Sequence, residues 1–224
     1  MFDGGIKIKA FIFDMDGVII DSEPLHFESD RMVMREFGVE LTDEELNRFV
    51  GVANPQMWAE LKDKYNIDLS IDELLERQHA NKLKLLEEME LETISGIDEL
   101  ISDLQKKGIA IALASSSSKE FIELVLKKLG ITECFQAIVS GDDVEKGKPE
   151  PDIFLKAAEL LKVSPENCIV LEDSGHGVNA AKKAGMKCIG FINSNSGNQD
   201  LSKADKVVST LVGLEYDSLY ASNS

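Results

Sequence analysis

Basic residues are scarce in this chain: 24 Lys and Arg face 41 Asp and Glu, a formal charge of −17. A field of that sign repels nucleic-acid backbones and anionic lipid, which Lys and Arg would have to attract, so both are excluded as partners. No apolar run approaches the ~18 residues of a membrane helix. Lys7 and Lys9 precede only a short apolar segment that Asp14 interrupts, so neither a span nor a signal peptide is expected. Cysteine is sparse too. Cys134, Cys168 and Cys188 form an odd set without C-x-x-C or zinc spacing, and two lie in apolar, strand-like runs, which suits structural thiols in a reducing cytoplasm.

What is present is enough apolar material for a core: 43% hydrophobic against 29% charged residues is an ordinary globular balance. A length of 224 residues, at about 150 per domain, fits one domain with a large insertion or two unequal domains. Short apolar runs at 9–13, 109–114, 137–139, 168–171, 187–192 and 206–208 read as strands. Helical patterns at 97–107, 119–129, 151–162 and 178–184 lie among them, three of them followed by Gly108, Gly130 or Gly185. The alternation predicts a parallel sheet covered on both faces. Residues 24–90 break it with about 65 residues of helical pattern, including capping boxes opened by Thr42 and Ser70. The expected organisation is α/β, with a core of 1–20 and 92–224 and a helical insertion of 21–91 after the first strand.

Ligands of open α/β sheets bind beyond the carboxyl ends of the strands, and those ends are unusually polar here. The first strand leads into Asp14-Met15-Asp16-Gly17, the second into Ser115-Ser116, and the strand at 168–171 into Glu172-Asp173-Ser174, while Lys148 follows the strand at 137–139. Three carboxylates about 4 Å apart would repel by roughly 4 kcal/mol per pair at an effective dielectric near 20, so the group needs a cation. Oxygen ligands without His or Cys favour a hard ion such as Mg²⁺. A Ser hydroxyl and a Lys ammonium suit phosphate oxygens, and a carboxylate beside the ion can act as a covalent nucleophile on phosphorus.

Asp14-Met15-Asp16-Gly17-Val18, Ser115, Lys148-Pro149 and Leu171-Glu172-Asp173-Ser174, in that order, resemble the four motifs of the haloacid dehalogenase superfamily. Asp21-Ser22-Glu23-Pro24-Leu25-His26 and Lys148-Pro149-Glu150-Pro151-Asp152 are similar to its β-phosphoglucomutase-like phosphatase branch. The resemblance implies a Rossmann-like parallel sheet with a helical cap domain inserted after the first strand. It implies Asp14 as nucleophile, Asp16 as acid and base, and Ser115, Ser116 and Lys148 on the phosphoryl group. Mg²⁺ would be held by Asp14, the Asp16 backbone carbonyl and Asp173, with Glu172 in the first or second coordination sphere. An acid/base Asp16 should titrate above a free Asp. Ser22, His26 and the 51–54 turn, with Gly51 and Asn54, would face a small phosphomonoester from the cap. The mutases of the branch carry Arg where Asn54 stands, so phosphatase chemistry on sugar phosphates is favoured over a β-phosphoglucomutase, although Arg77, Lys82 or Lys84 could compensate. A cytoplasmic monomer is expected.

Other readings of the same residues fare worse. An EF-hand from Asp14 would need Gly at Ile19 and Glu at Leu25. Gly175-His176-Gly177-Val178-Asn179-Ala180 imitates a dinucleotide fingerprint, yet Glu172 and Asp173 would face the pyrophosphate, and the acid about 20 residues on is replaced by Asn193 and Asn195. The glycines otherwise permit a tight turn and close helix packing. A phosphoacceptor receiver module would not need the helical insertion, and turnover separates the two. A binding relative without activity shares the fold and differs at the same test. Met32, Met34, Met57 and Trp58 read as packing residues of the insertion, and 87–90 as a solvated acidic face.

Overall fold

The computed structural model describes residues 7–50, 52 and 54–219. Its contacts divide the chain into two compact units, Met1–Asp21 with Leu91–Ser224, and Ser22–Glu90. In chain order β1 (Ala10–Phe13) is followed by α1 (Glu23–Arg35), α2 (Asp43–Asn47), α3 (Asn54–Tyr65) and α4 (Ile71–Glu88). Then come α5 (Ile97–Lys106), β2 (Ala110–Ala114), α6 (Lys119–Leu129), β3 (Ala137–Val139), α7 (Asp152–Leu161), β4 (Cys168–Glu172), α8 (Gly175–Lys183), β5 (Lys187–Phe191) and β6 (Lys206–Val208).

The six strands pair in the order β3-β2-β1-β4-β5-β6, every pairing parallel. The α/β class read from the sequence is therefore present. Side chains alternate across the sheet. Ala10, Ile12, Ala112, Ala114, Ala137 and Val170 share one buried cluster with Ala157 and Ala158 of α7 and Ala180 and Ala181 of α8. Small residues on both sides let those helices lie close to the strands. Phe11, Phe13, Ile111, Leu113, Ile169 and Leu171 take the alternate positions and are fully buried. Burying each such side chain contributes about 1.5–3 kcal/mol.

Register decides what meets at the carboxyl edge. Phe13 is paired with Leu113 on one side and Leu171 on the other, so Asp14, Ala114 and Glu172 finish level. The chain winds outward to β3 on one side of β1 and to β6 on the other, which makes the β1–β4 boundary the point where the winding reverses and the helices leave a crevice.

One helix starts earlier than the periodicity suggests. The apolar pattern predicts a start at Val178, but α8 begins at Gly175 because the Ser174 hydroxyl caps it, accepting from the Gly177 N–H at 3.0 Å.

The helical unit has a core of its own, with Val33 and Met34 of α1, Met57, Trp58 and Leu61 of α3 and Leu74 of α4. Met34, Met57 and Trp58 thus pack as expected, while Met32 is only partly buried. Both predicted capping boxes form, at Thr42–Glu45 and Ser70–Glu73. Among the described residues no helix is long and apolar enough to cross a membrane.

Candidate active site

Asp14 remains within the ladder, donating its N–H to the Leu171 carbonyl at 3.0 Å, and its side chain emerges at the edge. The chain then turns back at Gly17, whose φ of +75° lies in the left-handed region and whose missing side chain leaves room for Asp173. A Cβ at position 17 would overlap the Asp173 carboxylate. Across the crevice β4 delivers Glu172 and Asp173. Lys148, from the segment between β3 and α7, donates to Asp14 Oδ1 at 2.6 Å and to Glu172 Oε1 at 2.7 Å, with its ammonium 5.1 Å from the centre of the Phe154 ring. The second Glu172 oxygen accepts from the Ser174 N–H at 2.7 Å and the Ser174 hydroxyl at 2.9 Å.

Asp14, Glu172 and Asp173 each bring an oxygen to one place, all within 4.8 Å of one another. Glu172 is 0% exposed and the other two 6%, so water does little to relieve their repulsion. Burial, opposed by Lys148 and reinforced by Glu172 and Asp16, pushes the Asp14 carboxyl up to about 8. Burial, then Glu172 and Asp14, hold Asp173 well above the usual carboxylate range. Burial pulls the Lys148 ammonium down, but Asp14 and Glu172 outweigh it and the net direction is up. One ammonium against these three carboxylates, all ionised, leaves two negative charges, the complement of one divalent cation. An all-oxygen set of this kind fits Mg²⁺ better than a softer ion.

Asp16 points elsewhere. Its Oδ2 accepts from the Ser115 hydroxyl at 3.1 Å and the Ser117 hydroxyl at 2.8 Å. Ser115 is fully buried and also accepts the Ser117 N–H at 3.1 Å, whereas Ser116 is exposed. Of the residues predicted for the α/β unit, Asp14, Lys148, Glu172 and Asp173 therefore come together, and Asp16 pairs with Ser115 beside them in the chain. Two further contributors, Ser117 and Ser196, are not among the residues predicted from the sequence, and Gly177 takes the close-approach role expected of a glycine there. Ser117 belongs to the same serine run. Ser196 donates to Asp173 Oδ2 from the turn after β5. Gly177 is needed because a Cβ there would overlap the Glu172 carboxylate, which explains the glycine pattern without a dinucleotide.

Ser22, His26 and Asn54 belong to the helical unit. Ser22 is buried at the N-cap of α1, where its carbonyl accepts the His26 N–H at 3.0 Å, and the half-buried His26 accepts the Ser29 hydroxyl on its own carbonyl at 2.7 Å. Asn54 is exposed at the start of α3. Its amide donates to Gln78 Oε1 at 3.2 Å, and Gln78 donates to the buried Asp30 at 2.5 Å. Arg77 is paired with Glu36. Gly51 lies outside the described residues.

The sequence profile of the haloacid dehalogenase-like hydrolases matches residues 11–191. The chain belongs to that family. It is 36% identical to the phosphorylated carbohydrates phosphatase of Thermotoga maritima over 89% of this chain and 93% of that one. It is 34% identical to the β-phosphoglucomutase of Bacillus subtilis over 82% and 83% of the two chains. The crystal structure of CbbY from Rhodobacter sphaeroides in complex with phosphate superposes with a TM-score of 0.84 at 26% identity, covering 96% of this chain and all of that one. This member of the family is a hydrolase with phosphatase relatives, and the acidic edge of its sheet is the candidate active site.

Proposed function

We propose that this haloacid dehalogenase-like hydrolase is a Mg²⁺-dependent phosphatase of small phosphomonoesters, sugar phosphates first among them, acting through an aspartyl phosphate. The observation that carries the reading is Asp14: a buried carboxylate at the point where the winding of the sheet reverses, bonded to Lys148 and beside Glu172 and Asp173. Bound Mg²⁺ would supply charge neutralisation on the phosphoryl oxygens, held by Asp14, Asp173 and the Asp16 carbonyl with Glu172 close by.

The chain's own residues account for the proton and bond changes. An Asp14 oxygen attacks phosphorus and the ester P–O bond breaks, while protonated Asp16 gives its proton to the departing alkoxide. Asp16, now a carboxylate, takes a proton from water, the water oxygen attacks the aspartyl phosphate, and inorganic phosphate leaves with Asp14 restored. The Ser115 and Ser117 hydroxyls suit this role because they orient Asp16 Oδ2. Lys148 would balance charge on the phosphoryl group as it does on Asp14 and Glu172.

The B. subtilis mutase relative keeps a second reading alive, interconversion of β-glucose 1-phosphate and glucose 6-phosphate. Against it stands Asn54, a neutral amide bonded to a second neutral amide, Gln78. A bisphosphate intermediate asks for a cation to hold its far phosphate, and losing one forfeits charge-assisted hydrogen bonds of roughly 1.5–3 kcal/mol each. An amide pair suits sugar hydroxyls instead, and we assign the reading of the leaving group to the helical unit, with Ser22 and His26 as further candidates. The free thiols, with Cys168 and Cys188 buried, suit a reducing compartment such as the cytoplasm.

The test is phosphate release from hexose, pentose and polyol phosphates, with and without Mg²⁺, with product analysis in the same reactions. Stoichiometric, Mg²⁺-dependent phosphate is the expected result. Conversion of β-glucose 1-phosphate to glucose 6-phosphate with little free phosphate would replace the phosphatase by the mutase.

A further inference from the structure

The turn after β5 has no part in the bond changes above, yet it touches several of the segments that enclose them. Ser196 is buried and donates to Asp173 Oδ2. Asn193 donates through its amide to the Gly17 carbonyl at 3.0 Å, and its own side-chain oxygen accepts the Asn195 N–H at 2.9 Å. Asn195 in turn donates to Asp21 Oδ2 at 2.5 Å, at the last residue before the helical unit begins. Gln199 closes the far side, donating to the Ser196 carbonyl at 2.8 Å and accepting the Gly175 N–H at 3.2 Å. All these partners lie within the α/β unit.

The arrangement matters because Asp173 is crowded. Asp14 and Glu172 bring carboxylate oxygens within 4.8 Å of its own, and the Ser196 hydroxyl donates to its Oδ2. Space is short as well, since a Cβ on Gly17 would overlap both the Asp173 carboxylate and Ser196. We infer that the 193–196 turn is a positioning element for the divalent-cation site: Ser196 holds Asp173 Oδ2 and leaves Oδ1 as the oxygen a cation would take. Asn193 and Asn195 anchor the turn to Gly17 and Asp21. The inference rests on the assignment of Asp173 to the cation. Partners that orient metal ligands typically change metal affinity by about 10–100-fold when removed.

The experiment is a Mg²⁺ titration of thermal melting without substrate, which reports binding to the folded state alone. Wild type, Ser196→Ala, Asn195→Ala and Asp173→Asn are compared, each also melted without metal. Ser196→Ala should bind Mg²⁺ at least ~10-fold more weakly, and Asn195→Ala more weakly by a smaller factor, both with metal-free melting temperatures near wild type. Asp173→Asn should lose the Mg²⁺ response. Wild-type Mg²⁺ affinity in Ser196→Ala beside a silent Asp173→Asn would overturn the positioning role and leave the metal assignment standing. A wild type without Mg²⁺ response, or an Asp173→Asn that retains it, would overturn the metal assignment and this inference with it. If Ser196→Ala does not fold, the exposed Asn195 decides, and unchanged affinity in Asn195→Ala overturns the inference.

Discussion

In the helical unit Glu45 and Glu73 reach back to the backbone N–H groups of Thr42 and Ser70 at 3.1 and 2.8 Å. Hydrogen bonds from Lys64, Tyr65 and Thr42 pull the Glu45 carboxyl down to about 2, and those from Ser70 lower Glu73. In the α/β unit Asp14 and Asp173 are pushed the other way, chiefly by burial. The same functional group is therefore kept ionised by hydrogen-bond donors in one unit and crowded in the other. The crowding persists because the surrounding sheet over-determines it, and a divalent cation held by Asp14, Glu172 and Asp173 would relieve it. Among the described residues, Glu45 and Glu73 cap helices, whereas Asp14, Glu172 and Asp173 gather where they could hold a metal ion.

Replacing the most burdened carboxylate tests this contrast most severely. Asp14→Asn should lower phosphate release by at least ~10⁴-fold, the scale seen when a covalent nucleophile is removed. It should also change the pH dependence of metal-free stability. Burial pushes the Asp14 carboxyl up to about 8 in the folded protein from the 3.8 of an unburied Asp, so the native state holds an extra proton between those values. Wild-type stability then falls as pH rises through that window, and Asp14→Asn removes this contribution. Denaturant unfolding of both proteins at pH 5 and pH 8, without Mg²⁺, should show the variant gaining on wild type as pH rises. A constant difference would mean that the crowding of Asp14 is not expressed in the folded protein.

Lys148→Met addresses the counter-charge. It strips the buried partner from Asp14 and Glu172, and urea unfolding should register about 3–5 kcal/mol of destabilisation, the range for breaking a buried ion pair from one side. Mg²⁺ should restore part of the loss. At the gentle end, Thr42→Ala removes one cap of the helical unit and should destabilise by about 1 kcal/mol while leaving kcat unchanged. A large loss of activity in that variant would show that the local electrostatics of the helical unit reach the chemistry, and would erase the contrast.

Much of the molecule is legible in the sequence. Short apolar runs bounded by polar turns placed the strands because a doubly covered parallel strand has no alternation to hide behind, as in Ala10–Phe13 and Cys168–Glu172. Capping boxes were readable at Thr42 and Ser70 because partner and cap lie three residues apart. The start of α8 was missed because two glycines disguise a helix whose cap, Ser174, also serves Glu172. Ser117 and Ser196 were missed for a different reason: nothing local separates a serine that orients a distant carboxylate from one that faces water.

By itself, then, the order of residues determined the strands, the helical insertion, the net charge and the set of polar groups at the strand ends, since these depend on neighbours within a few positions. Tertiary structure alone decided the pairing of those groups: that Lys148 bridges Asp14 and Glu172, that Ser115 and Ser117 attend Asp16, and that Ser196 holds Asp173. Those contacts span 23 to 134 positions along the chain. They arise from strand register and from the space left by Gly17 and Gly177, and packing acts on all segments at once, which no local pattern encodes.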